Sequence, residues 1–388
     1  MGAKHLTEYK ETDVVIVGGG IMGCSTAYEL AKRGQSVVLL EKGFVGGEAS
    51  GRNGGGVRQQ FRHPAELPLA MESVKIWKGL EQEIDCNFEY RQGGHLHIMA
   101  DPKNFEAALK GMESERGAGL DVRTLNPEET RTLVPVISRD IEIIGSKYCP
   151  SDGTANPLLV TKAIARAARR LGAHIMEHEP LEQLKVKSAR VVAAITKRAE
   201  YRAPVFVNSA GAWARPICNQ VGLDFPVEIM RSQLLVTERL PPVFKEFIVA
   251  DSCSTYFRQA LSGGVHVGVQ SAPIKNYKKS TGYDAFKIAG QDNPAFFPFL
   301  EKVNIIHSWA GLTNWTPDAV CIVDKAPGLE GLYLIAGNSG HGFCLGPITG
   351  RLMAEWIVDG KPSMDLHGVR WTRFENIYLS KKTKMGKL

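Results

Sequence analysis

Hydrophobic residues form two short uninterrupted runs near the start of the chain, with a helical pattern between them. Val14–Val17 and residues 36–40 are mostly β-branched or aliphatic, which is typical of fully buried parallel strands. Between the runs, Ala27 and Leu30 recur at helical spacing, and Gly34 is suited to end a helix. The pattern predicts a strand–helix–strand unit with a parallel sheet.

Two later stretches have the same uninterrupted apolar pattern, whereas four other segments alternate between polar and apolar residues. Residues 204–208 and 331–336 are predicted to be buried strands, and Asn156 with Pro157 is suited to begin another helix. Polar and apolar residues instead alternate in the remaining group of segments, as in half-buried antiparallel strands. These segments are 91–99, 227–236, 255–258 and 265–269.

A glycine motif joins the first predicted strand to the first helix. Gly18 permits a tight turn, Gly20 allows a pyrophosphate to approach the backbone, and Gly23 allows the helix to pack closely. The N–H groups of the first helical turn, at Ile21 and Met22, would hold the phosphates. Glu41, at the end of the second strand, is placed to accept hydrogen bonds from a ribose. We predict a dinucleotide site; the alternative is a glycine-rich turn without a ligand.

Six glycines between Gly46 and Gly56 follow this unit. The stretch is predicted to form neither a helix nor a packed strand, and suits a backbone that wraps around a ligand. Here the sequence resembles the FAD-dependent amine oxidoreductases of the D-amino acid oxidase superfamily, which include sarcosine oxidase, glycine oxidase, dimethylglycine dehydrogenase and the β subunits of heteromeric proline and opine dehydrogenases. Members carry Glu-Lys at the second strand's end, here Glu41-Lys42. Residues 204–214 and 331–343 carry the resemblance further.

The resemblance implies an α/β fold in which a Rossmann-like FAD-binding domain is interleaved with an antiparallel-sheet α+β substrate domain. The expected boundaries are 1–90, 146–214 and 306–388 for the FAD-binding domain, and 91–145 and 215–305 for the substrate domain. It implies non-covalent FAD, because Gly311 lies near the position of the family's flavin-linking cysteine. Besides the residues above, it assigns to the cofactor Lys42, Gly47, Ala49, Ser50, Arg52, Asn53, Gly54, Gly55, Gly56, Leu181, Ala210, Gly211, Trp213, Gly311, Gly337, Asn338, Ser339, Gly340, His341, Gly342 and Phe343.

Four residues are candidates for the chemistry. Arg58 suits a substrate carboxylate, although pairing with a phosphate or a surface acid is an equal alternative. The resemblance places Tyr256 toward the substrate and His341 in the turn over the flavin. His266 could act as a base or store positive charge, or be structural. Arg258, on the same strand face as Tyr256, is a weaker candidate.

The sequence departs from the family where relatives bind the substrate carboxylate. Cys344 replaces a lysine of monomeric sarcosine oxidase, and Thr313 replaces an arginine of glycine oxidase. His266 matches an oxygen-activating lysine. Residues 309–318 and 54–60 resemble dimethylglycine dehydrogenase and the heteromeric β subunits. The resemblance therefore favours small redox partner subunits that carry FMN, an iron–sulfur centre or a second FAD.

Composition narrows the remaining possibilities. The net charge is +6, and the tail Lys381–Leu388 holds four lysines, so it is expected to be a solvated end or a subunit contact. The weak charge disfavours a nucleic-acid partner. Seven cysteines without a CxxC pair, no long apolar run and no apolar signal segment indicate a reduced, metal-free, cytoplasmic protein without a membrane span.

The leading hypothesis is FAD-dependent oxidation of a C–N bond by hydride transfer to flavin N5, with a dehydrogenase favoured over an oxidase. A small secondary amine or amino acid of the sarcosine, proline, hydroxyproline, glycine or opine type would be the substrate. The chain would act as the catalytic β-type subunit of a dehydrogenase complex. The alternatives are a stand-alone peroxide-forming oxidase and a non-catalytic or tRNA-modification FAD subunit.

Overall fold

The computed structural model describes residues 8–253 and 255–374. The basic tail Lys381–Leu388 lies outside the described residues, so its role stays a prediction. Numbered in chain order, the helices are α1 (Ile21–Lys32), α2 (Ala49–Arg52), α3 (Leu67–Glu83), α4 (Pro102–Gly117), α5 (Pro127–Leu133), α6 (Pro157–Arg170), α7 (Ala214–Gln220), α8 (Tyr283–Phe296) and α9 (Gly342–Val358). None of the helices in these ranges is long and apolar enough to cross a membrane.

The strands, in the same order, are β1 (Glu8–Glu11), β2 (Val14–Val17), β3 (Val37–Leu40), β4 (Gly56–Val57), β5 (His95–Met99), β6 (Arg123–Leu125), β7 (Gly145–Cys149), β8 (Gly153–Thr154), β9 (His174–Met176), β10 (Gln183–Lys187), β11 (Arg190–Ile195), β12 (Ala199–Arg202), β13 (Val205–Asn208), β14 (Glu228–Arg239), β15 (Phe247–Ala250), β16 (Thr255–Gln259), β17 (Gly264–Pro273), β18 (Ile305–Trp315), β19 (Ile322–Lys325) and β20 (Leu332–Ala336).

The described residues fall into two compact units. The first unit contains those up to Gly51, Thr161–Glu228 and those from Thr313 onward, and the second contains Arg52–Val160 and Ile229–Leu312. By packing, residues 52–90, 146–160 and 306–312 of the predicted FAD-binding segments thus lie in the second unit, and residues 215–228 of the predicted substrate segments lie in the first. Which ligand each unit binds stays a prediction.

A six-stranded sheet in the order β19-β20-β13-β2-β3-β9 organises the first unit. All its neighbouring strands are parallel except the edge pair β19–β20. Every residue of β2 and β3 is buried, as their uninterrupted aliphatic runs require. A smaller sheet in the order β1-β12-β11-β10 completes this unit.

Helices α1 and α9 of the first unit pack at very close range. A Cβ added to Gly346 would lie 2.7 Å from Ile21 Cγ1, and one added to Gly350 would lie 2.5 Å from the Ser25 side chain. Small residues let two helix backbones approach each other in this way. Glycines four positions apart on α9 therefore fix this helix against α1.

An eight-stranded sheet in the order β18-β14-β17-β16-β15-β5-β7-β6 organises the second unit. The antiparallel pairing predicted for 227–236 with 265–269 and for 255–258 with 265–269 is present in β14–β17 and β16–β17. One neighbouring pair of this sheet is parallel instead, since β5 runs in the same direction as β15. Phe257, Phe296 and Phe297 form the centre of the core beneath this sheet.

The prediction that the glycine-rich stretch forms no regular structure is partly wrong. Ala49–Arg52 makes one helical turn, and Gly56–Val57 pairs with Gly153–Thr154. Ala49–Arg52 contains a single glycine, and Gly51 N donates to Glu48 O at 3.0 Å, which closes the turn. Elsewhere Asn156 accepts from Leu159 N at 3.2 Å as the predicted N-cap of α6.

Candidate functional site

The glycine motif forms a tight turn at the carboxyl end of β2 in the first unit. Gly18 has φ +111°, and a Cβ there would lie 2.5 Å from Ser209 O. A Cβ on Gly23 would overlap the carbonyl oxygen of Gly18, and one on Gly20 would lie 2.9 Å from Ser50 Oγ. Protein atoms approach each of these glycines too closely for a side chain, so only glycine permits the tight strand-to-helix turn that a phosphate-binding motif needs.

Glu41 holds this turn as well as standing where a ribose is expected. Its Oε2 accepts from Gly19 N at 2.7 Å, and its Oε1 accepts from Gly43 N at 2.7 Å. A carboxylate has about four lone-pair sites, so both oxygens retain capacity to accept ribose hydroxyls. The buried acid therefore supports the backbone around the predicted nucleotide position.

Ser209, just after the neighbouring strand β13, forms hydrogen bonds with the last residue of β2, directly before the glycine turn. Its hydroxyl donates to Val17 O at 3.0 Å, and Ser209 N donates to the same oxygen at 2.9 Å. Ser50 Oγ accepts from Ile21 N, the first amide of α1, at 2.9 Å. Ser50 and Ser209 thus fix the two sides of the glycine turn, and the sequence pattern gave no role to Ser209.

The turn between β20 and α9 is held in an unusual backbone conformation. Gly337, Ser339 and Gly340 all have positive φ, and Ser339 does so with a side chain. Ser339 N donates to Asn314 O at 3.0 Å, and His341 N donates to Asn338 O at 2.6 Å. Asn338 Oδ1 is buried without a hydrogen-bond partner. Asn338 Oδ1, as a buried acceptor without a partner, is therefore suited to accept a hydrogen bond from a ligand bound at this turn.

The other cofactor candidates of the first unit are placed as follows. Lys42 Nζ lies 3.2 Å from the centroid of the Trp213 ring and 2.9 Å from Glu48 Oε1. Gly211 has φ +55°, and its carbonyl accepts from Asn314 Nδ2 at 2.8 Å. The remaining members of this set are Gly47, Ala49, Leu181, Ala210, Gly342 and Phe343, of which Leu181 packs partly buried against the core of this unit.

In the second unit, Tyr256 and Arg258 share one face of β16. Both contact the part of the glycine-rich stretch at residues 53–56, called the glycine loop below. The Tyr256 ring fills the space beside Gly54 and Gly268, where an added Cβ would overlap it. Burial raises the pKa of Tyr256, and the charge of Arg258 and the N–H of Gly54 oppose that rise. The phenol is therefore a neutral hydrogen-bond donor near neutral pH.

Arg258 fastens the loop to the sheet. The residue is 3% exposed, and its Nη1 donates to Gly54 O at 3.0 Å and to Ala155 O at 2.8 Å. Burial lowers the pKa of the guanidinium to about 10, so it stays charged at neutral pH. A charged donor on two carbonyls makes strong hydrogen bonds. The loop that includes Asn53, whose Oδ1 accepts from Gly55 N at 2.7 Å, is thereby fixed.

His266 lies directly opposite Arg258 on the neighbouring strand. Its ring meets Trp309 edge to face with centroids 5.5 Å apart, and its Nδ1 is buried without a hydrogen-bond partner. Burial, together with the Arg258 charge, lowers the pKa of His266 to about 4. His266 is therefore neutral near neutral pH in this structure, and its roles as a base or as a store of positive charge stay predictions.

This low pKa predicts a pH effect on stability. Because the folded pKa of about 4 is below the ordinary 6.5, the unfolded chain binds the proton first, and folding loses free energy as pH falls from 6.5 to about 4. His266→Asn should flatten part of that decline in urea denaturation. His174→Asn, on an exposed side chain of the first unit, is the control that should leave it unchanged. Equal declines in the wild type and His266→Asn would contradict the assignment.

Arg58 donates hydrogen bonds within its own loop. Its Nη1 donates to Gln60 O at 2.9 Å and to Phe61 O at 3.4 Å. Burial lowers the pKa of His97 and of Lys147, and the charge of Arg58 adds to both shifts, so Arg58 lies near these two side chains in the second unit. Binding of a substrate carboxylate by Arg58 stays a prediction, and local loop support is what the structure adds.

Two further predicted residues are tied to β18. Arg52 Nη1 donates to Ala310 O at 3.2 Å, and Trp309 Nε1 donates to Arg52 O at 2.9 Å. Gly311 follows in the buried part of the strand. Thr313, at a position of a missing carboxylate anchor, accepts from Trp315 Nε1 at 3.0 Å. In the first unit Cys344, at the other such position, is buried.

Comparison with known proteins identifies the family. Residues 13–356 match the family model of the FAD dependent oxidoreductases (DAO), and the chain belongs to this family. The resemblance, the mixed α/β fold and the FAD cofactor predicted from the sequence are therefore confirmed at the level of the family. No group of three or more His, Cys, Asp or Glu that could hold a metal ion occurs among the described residues.

Three individual proteins illustrate the match. Mitochondrial sarcosine dehydrogenase of Homo sapiens is 29% identical over 381 residues, which cover 94% of this chain and 41% of that protein. Sarcosine oxidase subunit beta of Rhizobium meliloti (strain 1021) is 27% identical over 372 residues, covering 95% of this chain and 89% of that one. The crystal structure of L-proline dehydrogenase from P. horikoshii has a TM-score of 0.90 at 28% identity, covering 95% of this chain and 98% of that one.

This chain spans about two fifths of the length of the human relative. The residues of the first unit fit FAD on structural grounds, because three glycines permit the tight turn from β2 into α1 that a pyrophosphate site needs, and the buried acceptor Asn338 Oδ1 has no partner.

Proposed function

We propose that the chain catalyses the FAD-dependent oxidation of a C–N bond in a small secondary amine or amino acid. The glycine turn at the carboxyl end of β2, in a member of the FAD-dependent oxidoreductase family, carries the proposal. The names of relatives that act on sarcosine and on L-proline support the substrate class. In this reaction a hydride leaves the carbon next to nitrogen, the nitrogen loses its proton, and water hydrolyses the imine.

Bound FAD would supply the hydride acceptor, at N5 of the flavin. The residues proposed to hold it non-covalently are the motif glycines, the N-terminal turn of α1, Glu41, the loop that Arg258 fastens and the turn at Asn338. The helix dipole of α1 favours the negative pyrophosphate. These groups bind and orient, and none needs to change its charge during the reaction.

The hydroxyl of Tyr256 is proposed to orient the substrate. A neutral phenol whose pKa is raised by burial donates a hydrogen bond to a carboxylate or carbonyl oxygen of the amine. His266, neutral at the same pH, adds no charge that would oppose hydride loss. Arg58 and His341 are retained as proposed substrate or flavin contacts.

Tyr256→Phe tests this role. Its ring would still fill the space beside Gly54 and stack on Phe247 at 5.1 Å, so the fold should be retained. We expect kcat/KM for the amine to fall by about tenfold, the loss of one hydrogen bond to a charged group. Tyr283→Phe, on an 84% exposed tyrosine, is the matched control and should change nothing. Unchanged kcat/KM in Tyr256→Phe would show that the hydroxyl does not meet the substrate.

We propose that the chain works as a β-type subunit that passes electrons to a partner. A relative named as a beta subunit supports this arrangement. The partner would carry FMN, an iron–sulfur centre or a second FAD, because the seven cysteines of this chain lack the spacing of iron–sulfur ligands.

Turnover measurements test the proposed function. The purified chain with FAD is supplied with sarcosine, L-proline, hydroxyproline, glycine or an opine, and either an artificial dye or dioxygen is the acceptor. Dye reduction with carbonyl product and little peroxide is expected. Rapid peroxide formation would favour a stand-alone oxidase, whereas FAD binding without any turnover would favour a non-catalytic subunit.

A further inference from the structure

The second unit contains a cavity of about 740 Å³ that the proposed oxidation does not use. Its apolar wall includes Leu133, Phe244 and Leu261, and its charged lining includes Lys245 and Glu246. Arg258 and Gln259 are consecutive positions of β16 whose side chains point to opposite faces; Arg258 shares the face of Tyr256, and Gln259 lines the cavity. The cavity therefore lies on the face of the sheet opposite Tyr256.

Glu246 is the unusual member of this lining. The residue is 1% exposed, and its Oε1 has no hydrogen-bond partner. Its Oε2 accepts from Lys245 N at 3.1 Å, and burial raises the pKa of the carboxyl group. A buried carboxylate oxygen without a donor is costly, so a donor from a ligand would stabilise it.

Positive groups surround this acid. Arg91, Arg239 and Lys245 all line the cavity, so cations outnumber the single acid Glu246. Arg91 Nη2 donates to the carbonyl of Gln259, which holds its guanidinium at the cavity wall. A ligand with a negative group beside a hydrogen-bond donor would therefore fit: its negative group would pair with the cations, and its donor would bind Glu246.

The wall is built before any ligand arrives. Gln259 Oε1 accepts from Val243 N at 2.7 Å, and its Nε2 donates to Pro241 O at 2.8 Å and to Gly263 O at 3.0 Å. One buried amide thus ties the loop before β15 to the hairpin after β16. Such a fixed lining reduces the ordering cost of binding.

We propose that this cavity is a second ligand site, for an α-amino acid with an aliphatic side chain. The ammonium would donate to Glu246 Oε1, and the carboxylate would pair with Arg91, Arg239 and Lys245. The aliphatic side chain would rest on Leu133, Phe244 and Leu261. The site is independent of the flavin and of amine oxidation.

The test is a titration with unlabelled L-leucine, followed through the methyl signals of the full chain labelled at leucine methyl groups. Leu133, Leu240 and Leu261 line the cavity, so their signals report on it locally. Saturable shifts of these signals are expected. L-Leucinamide, which lacks the carboxylate, and 4-methylpentanoate, which lacks the ammonium, should each bind more weakly by about tenfold.

Glu246→Gln should weaken L-leucine binding by about tenfold, and Glu301→Gln, on an exposed acid of the same unit, should not. Lys245→Gln, on an exposed side chain, should also weaken it, which keeps the test valid if Glu246→Gln fails to fold. Cavity signals that do not move, equal binding of 4-methylpentanoate, or unchanged affinity in both Glu246→Gln and Lys245→Gln would overturn the proposal.

Discussion

Arg258→Met is expected to weaken FAD binding by about 10- to 100-fold, because hydrogen bonds from a charged donor contribute about 1.5–3 kcal/mol each. Methionine keeps most of the apolar stem but removes the donors to Gly54 O and Ala155 O. The two carbonyls would lose their anchor, and the loop proposed to wrap the cofactor would gain alternative conformations. Flavin fluorescence during titration of the apoprotein measures the affinity.

The conservative variant separates positioning from general damage. Arg258→Lys retains the charge but not the guanidinium geometry, so partial recovery of FAD affinity is expected. Arg139→Met, on an exposed arginine of the same unit, is the control and should bind FAD normally. If Arg258→Met bound FAD as tightly as wild type, Arg258 would not be holding the cofactor loop.

Gly18→Ala is expected to abolish FAD binding and to lower the stability of the first unit. The added Cβ meets two penalties, since φ is +111° and the Ser209 carbonyl oxygen would lie 2.5 Å away. The left-handed backbone alone costs about 1–2 kcal/mol, and the overlap with fixed backbone adds to it. Urea denaturation and FAD content after purification measure the two effects.

Gly34→Ala is the matched control for backbone strain. Gly34 also has positive φ, at +75°, but nothing lies within 4 Å of an added Cβ. The free energy of unfolding of Gly34→Ala should fall by only about 1 kcal/mol, from backbone strain alone, and the variant should still bind FAD. Equal losses in the two variants would attribute the effect of Gly18 to φ alone and remove the evidence for a closely packed turn.

The parts of the fold that local pattern determines could be predicted from the sequence. Strands β2 and β3 follow from uninterrupted aliphatic runs, and the N-cap at Asn156 follows from a side chain three residues from its partner. Gly18, Gly20 and Gly23 could be assigned because their spacing between a strand and a helix has a specific physical reason.

The rest depends on contacts between residues far apart in sequence. Arg258 donates a hydrogen bond to Gly54, 204 positions earlier in the chain. Ser209 donates one to Val17, 192 positions earlier. The period-two pattern placed Arg258 on the face of Tyr256, but no sequence signal indicated which carbonyls it would meet. For His266, burial and the opposite Arg258 set the charge state, and both depend on strand register. The two carbonyls that Arg58 meets, at Gln60 and Phe61, could not be read from the sequence either, and its role toward the substrate stays a prediction.

The central claim is that this chain holds FAD that a small amine reduces. Anaerobic absorbance of the FAD-loaded protein tests it most directly, with sarcosine, L-proline, hydroxyproline, glycine and opines added one at a time. We predict that one of these compounds bleaches the yellow oxidised flavin, and that acid releases the flavin from the protein. A protein that takes up no FAD, or bound flavin that none of these amines bleaches while a chemical reductant does, would contradict the account.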